Sequence, residues 1–130
     1  MPDVNRPAAS PVVLLLEDNA LLRAALFLAL EREGFTMRSA ATVREALIRL
    51  AEEPAIAVVV LEIDLGPGTP RGFAFADVAL ARRPDLRLVF LTGRADLLVG
   101  RAHGPREMHL TKPCPVPRVA AAIRRVLDGA

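Results

Sequence analysis

The residues able to do chemistry in this chain stand directly after apolar runs. Glu17 and Asp18 follow VVLLL (12–16), Glu62 and Asp64 follow AVVVL (57–61), Thr92 follows LVFL (88–91), and Lys112 with Pro113 follows MHLT (108–111). Of the 17 basic side chains, 16 are Arg, so Lys112 is the one ammonium group. A composition rich in Ala, Arg and Pro accounts for the arginines but not for the position of the exception. If these positions meet, Asp18, Glu62 and Asp64 offer hard carboxylate oxygens of the kind Mg²⁺ takes, one or two at a time with water completing the shell. Thr92 and Lys112 would then hold the oxygens of a phosphoryl group. Singly, each has a duller reading: Asp18 as the cap of the next helix, Thr92 as a turn residue, Lys-Pro as a loop. Their joint placement at the ends of alternating segments points to one pocket.

The elements that must position them follow from periodicity. Val12 to Leu16 reads as a buried strand. Leu22, Ala25, Leu26, Ala29 and Leu30 form the stripe of an amphipathic helix, with Gly34 where a C-terminal cap belongs. Thr36 to Ala40 alternates weakly, as an edge strand can. Thr42 and Glu45 make a capping box that opens a helix with its stripe at Val43, Ala46, Leu47, Leu50 and Ala51. A third strand (Ala57 to Leu61), a shorter helix (Ala74 to Arg83), a fourth strand (Leu88 to Leu91) and a weak fifth (Met108 to Thr111) follow. The last helix starts near Pro117, with its stripe at Val119, Ala122, Ile123, Val126 and Leu127. Strict alternation of strand and helix requires crossover connections, hence a parallel sheet covered on both faces. The fold class is α/β, a doubly wound five-stranded parallel sheet. Wholly apolar strands one, three and four belong inside and mixed strands two and five at the edges, which agrees with the order 2-1-3-4-5. Such sheets bind ligands outside the carboxyl ends of their strands, where the residues above collect.

With 130 residues, 52% apolar and 25% charged, the chain makes one compact domain. Its expected span is 12–128, after a loose Pro-rich lead-in at 1–11. One cysteine, Cys114, allows no internal disulfide, and no signal peptide or apolar run long enough to span a membrane is present, so the expected location is cytoplasmic. The net charge of +2 divides into −4 over 1–81 and +6 over 82–130. The basic half either suits an acidic partner surface or is a solvated face. With the chain ending three residues after Leu127, no helix-turn-helix is expected here, nor direct nucleic-acid binding.

The motifs LLLED (14–18), VVVLEIDL (58–65), FLTG (90–93) and LTKP (110–113) make the chain resemble the receiver domains of two-component response regulators, from Val12 to Leu127. The resemblance implies a flavodoxin-like (βα)5 receiver fold, which also informs the strand order. It implies an aspartate at the end of strand three that takes a phosphoryl group from a histidine kinase, with Mg²⁺ held by the acidic pair. Thr92 and Lys112 would bind the phosphoryl oxygens, a cis peptide would precede Pro113, and the partners would be a histidine kinase or an effector protein, with a homodimer also in keeping with the family. FLTG further resembles the start of the Phe-Ala-Thr-Gly pattern of the FATGUY receivers of alphaproteobacteria, from which Leu91 and Ala95 depart.

The departure of most consequence is Glu62, which stands at the acceptor position in place of Asp. Its extra methylene carries the carboxylate about 1.5 Å farther into the pocket, an error that in-line phosphoryl transfer tolerates badly. Glu62 can instead pair with Lys112, giving either a receiver held near one state by a partial mimic or one switched by another input. Asp64 is the alternative acceptor. His109 replaces the aromatic switch residue three positions before the Lys and could make that site pH-sensitive. The loop GPGTPRG (66–72) is long and offers Gly72 as the family's glycine, while Gly100, Gly104 and Pro105 shorten the fourth helix. The expected function is therefore that of an atypical receiver, not an enzyme, that works by protein binding without normal phosphorylation. The alternatives are a conventional Mg²⁺-dependent receiver using Asp64 and a flavodoxin-like small-molecule binder. Against the last, no glycine-rich loop follows strand one and no Trp or Tyr is present to stack on a flavin.

Overall fold

The structure is a computed structural model that describes residues 11–65, 71–99, 101 and 105–128. The lead-in up to residue 10, the loop residues 66–70, Gly100 and Gly104 lie outside the described residues. Five parallel strands, β1 (Val12–Leu16), β2 (Thr36–Ala40), β3 (Ile56–Leu61), β4 (Arg87–Thr92) and β5 (Glu107–Thr111), form one sheet in the order β2-β1-β3-β4-β5. Three α-helices join successive strands, α1 (Ala20–Arg32), α2 (Val43–Glu52) and α3 (Arg71–Arg82), and a fourth, α4 (Val116–Leu127), follows β5. Between β4 and β5 stands a 3-10 turn, Ala95–Leu98, where a fourth crossover helix would otherwise be. The doubly wound α/β architecture is the expected one.

Because successive side chains of a strand point to opposite faces, each central strand feeds two cores. Leu14, Leu16, Val59, Leu61, Leu88 and Phe90 pack under α2 and α3. Val13, Leu15, Val58, Val60, Val89 and Leu91 pack under α1 and α4. Burial on both faces is why these strands are uninterrupted apolar runs.

Local signals set most helix ends. Thr42 Oγ1 accepts from the Glu45 amide, and Glu45 Oε2 accepts from the Ala41 amide, one residue earlier than the usual capping box. Gly34 has φ +103°, a conformation costly for any residue with a Cβ, and ends α1. The cap of α1 differs from expectation: Asn19, not Asp18, accepts from the Leu22 amide. Of the α1 stripe, Leu26 and Leu30 are buried, whereas Leu22 and Ala25 are exposed. They line an open hollow with Leu91, Cys114 and Val116, so the first turn of α1 has little packed over it. Helix α3 begins at Arg71, three residues earlier than the pattern predicts. The reason is Gly72, whose amide donates to the Ile63 carbonyl and whose missing side chain lets the helix press against β3's exit. A Cβ there would lie 2.6 Å from both the Glu62 carbonyl oxygen and Ile63 Cα.

Candidate functional site

Register decides which chain ends meet. Leu16 pairs with Leu61, and Thr92 with Thr111, so Glu17, Glu62 and Lys112 each leave the sheet at its carboxyl edge. The Glu62 amide donates to the Leu16 carbonyl and the Lys112 amide to the Thr92 carbonyl, prolonging the sheet pairing into the site.

Three side chains come together there. Lys112 Nζ lies 2.9 Å from Glu62 Oε1 and 3.3 Å from Glu17 Oε1. Both carboxylates are nearly enclosed, at 6% side-chain exposure for Glu17 and 10% for Glu62, against 26% for Lys112. The remaining oxygens are also occupied. Glu62 Oε2 accepts from the Ile63 amide at 2.8 Å and the Asp64 amide at 3.3 Å, while Glu17 Oε2 accepts from the Asn19 amide at 3.1 Å. Glu62 thus collects an ammonium and two backbone N–H groups, the same kind of donors that would stabilise a transferred phosphoryl group.

The electrostatics follow from this enclosure. Burial lifts the Glu17 carboxyl above the usual carboxylate range; the Asn19 amide opposes that rise, the adjacent Asp18 carboxyl adds to it, and Lys112 opposes it. Burial also works against the Lys112 ammonium, but the hydrogen bond to Glu62 and the charges of Glu17 and Glu62 more than offset it and hold Lys112 above the ordinary lysine value.

The other expected residues stand outside this trio. Asp18 and Asp64 are exposed, and Asp64 faces Arg94 at 4.0 Å. Thr92 is fully buried, and its Oγ1 accepts from the Arg94 amide, which fixes the turn after β4. The Lys112–Pro113 peptide is cis. His109 stands edge-on to Phe90, with Nε2 2.9 Å from Glu107 Oε1. Among the described residues no three His, Cys, Asp or Glu side chains gather as metal ligands. With Glu62 turned to Lys112 and to backbone amides, the donors as arranged fit Mg²⁺ poorly.

Along β4 and β5, on the face covered by α3, lies a cluster that sequence reasoning missed. Arg101 pairs with Glu107 at 2.7 Å and Asp77 at 3.2 Å, and its guanidinium sits over Phe73 and Phe90 at 4.9 and 5.1 Å. Its partners come from α3, β4 and β5, and no local pattern announces such a contact.

No family model matches the sequence. The chain is 38% identical over 90 residues to the C4-dicarboxylate transport transcriptional regulatory protein DctD of Rhizobium meliloti, an alignment covering 69% of this chain and 19% of that protein. It is 38% identical over 82 residues to the photosynthetic apparatus regulatory protein RegA of Cereibacter sphaeroides, covering 62% of this chain and 42% of that protein. The chain therefore spans less than half the length of these curated relatives. Among solved structures, a response regulator receiver protein from Sinorhizobium medicae superimposes with a TM-score of 0.80 at 26% identity, over 92% of this chain and 96% of that one. The strand order, the residues that meet at the carboxyl edge and these likenesses agree: the chain is a receiver domain of the two-component response regulator type.

Proposed function

We propose that this receiver works as a protein-binding module whose phosphoryl site is filled from within by Glu62, so that its output does not depend on phosphorylation. The carrying observation is the closed set of bonds on Glu62, to Lys112 Nζ and to the Ile63 and Asp64 amides. A group whose lone pairs already face those donors is a poor nucleophile, and an incoming phosphoryl group would have to displace it from them. In this reading the domain is not an enzyme, Mg²⁺ is dispensable, and the partner is a histidine kinase or an effector protein in the cytoplasm. The FLTG run supports a place among the FATGUY receivers.

The test is intact-mass analysis after incubation with Mg²⁺ and a small phosphodonor. The expected result is an unchanged mass for the wild type and a gain of one HPO₃ for Glu62→Asp, whose shorter side chain withdraws from the donors. A stoichiometric gain on wild-type Glu62 or Asp64 would return the domain to conventional phosphorylation.

A further inference from the structure

A second surface stands at the opposite edge of the sheet. Between α2 and α3 runs an apolar groove of about 300 Å³ floored by Leu47, Leu50, Ala51 and Ala79 and ending at Pro54 and Arg83. It continues along α2 into a shallower hollow that shares Leu47, Ala51 and Arg82 and adds Ile48 and Arg44. Pro54 and Arg83 lie beside the start of β3, whereas Glu62 follows its last residue, so the length of a strand, roughly 20 Å, separates this groove from the pocket.

We propose that this groove docks an acidic amphipathic helix of a partner protein. The apolar floor has the form that helix-in-groove recognition uses, two helices offering a furrow for a third. Ile48 and Val78, 46% and 41% exposed, keep apolar surface in water on the two flanking helices. The charge of the rim selects the partner. Arg44, Arg82 and Arg83 line the channel, no carboxylate does, and Arg44 and Arg82 have no ion-pair partner among the described residues. Arg82 at the end of α3 suits the helix dipole, but Arg44 stands in the first turn of α2, where a cation is unfavourable. Its position is explained by an acidic partner and not by its own helix. Arg83 is held by the carbonyls of Pro54 and Ile56, which fixes its guanidinium at the end of the groove. A second copy is a poor occupant, because two-fold pairing would set arginine rim against arginine rim.

The test uses the full chain and four probes. The first is a synthetic helical peptide with leucines at i, i+3, i+4 and i+7 flanked by glutamates. The second is the same peptide with lysines for glutamates, the third is phosphatidylglycerol vesicles, and the fourth is a single-stranded oligonucleotide. The acidic peptide should shift the amide resonances of Leu47, Ala51 and Ala79. Its affinity should fall at least about tenfold in Arg44→Glu/Arg82→Glu, and it should be lost in Ala51→Phe, which fills the groove without touching the charge. Since Ala51 is exposed, Ala51→Phe leaves the core intact, and an unchanged circular dichroism melt checks this. Equal binding of the lysine peptide, or acidic-peptide binding indifferent to both variants, overturns the proposal. So does vesicle or oligonucleotide binding that the arginine changes abolish and Ala51→Phe leaves intact, which would make this a polyanion patch.

Discussion

At the scale of single residues the pocket is governed by one cation shared between two enclosed carboxylates. Removing the cation is the harsher change, because Lys112→Met leaves Glu17 and Glu62 facing one another with no counter-charge. An uncompensated buried charge costs about 3–5 kcal/mol, and urea denaturation at neutral pH should show a loss in that range. Glu62→Gln should cost less, because Lys112 keeps Glu17 and some solvent and the amide oxygen can still accept from Ile63. If Lys112→Met were the milder of the two, the ammonium would not be what holds the pair. The pH dependence of Glu17 can be assigned a sign. Its folded carboxyl is raised by burial above its unfolded value, so between the two values the native chain binds more protons than the unfolded one. The stabilisation tied to protonated Glu17 is complete below the unfolded value and lost as pH rises through the folded one. The stability of wild type relative to Glu17→Gln should therefore decline with rising pH across that window and then level off. A difference that grows with pH would show that the bonds from Lys112 and Asn19, not burial, dominate.

At the scale of elements, the sheet edge is positioned by close approach as much as by hydrogen bonds. Gly72 matters most, because Gly72→Ala would put a methyl against the backbone that carries Glu62 and Ile63. Relief of that overlap should cost about 1–3 kcal/mol, and since it moves the start of α3 off β3's exit, the Lys112 and Glu62 resonances should shift with it. A variant as stable as wild type with an unmoved pocket would show that α3 is not braced there. The same glycine explains why the start of α3 is hard to read from sequence: a glycine inside a first turn looks like loop by propensity, and only the distant contact makes it helix. By contrast Thr42 and Glu45 announce α2 because capping is local, and Thr42→Ala should lower stability by about 1 kcal/mol. The stripe of α1 misleads over its first turn, since periodicity reports which residues share a face and not whether anything is packed on that face.

At the scale of the whole molecule, apolar continuity marked which strands are central, the resemblance to receivers supplied part of their order, and register then carries Glu17, Glu62 and Lys112 to the same edge. The choice between Thr92 as a phosphoryl ligand and Thr92 as a turn residue was not legible, because a hydroxyl's partner depends on the turn that follows it; its bond from the Arg94 amide is that of the turn residue. Nor was Arg101, which ties α3, β4 and β5 together through Asp77, Phe73, Phe90 and Glu107. That clasp lies where, among the described residues, the crossover from β4 to β5 has only a 3-10 turn, Ala95–Leu98, with no buried side chain of its own. Few buried contacts mean a low free energy of local opening, so this crossover should be the first described part of the domain to open. Arg101, with 17% of its side chain exposed, ties its return to the sheet. Arg101→Ala removes an enclosed ion pair and two ring contacts at once. In native-state hydrogen exchange the amides of β5 and of Ala95–Leu98 should lose protection while those of β1, β3 and α2 keep theirs. Uniform loss of protection across the sheet would mean that Arg101 supports global stability, and unchanged protection in β5 would mean that the strand is held by its pairing with β4 alone.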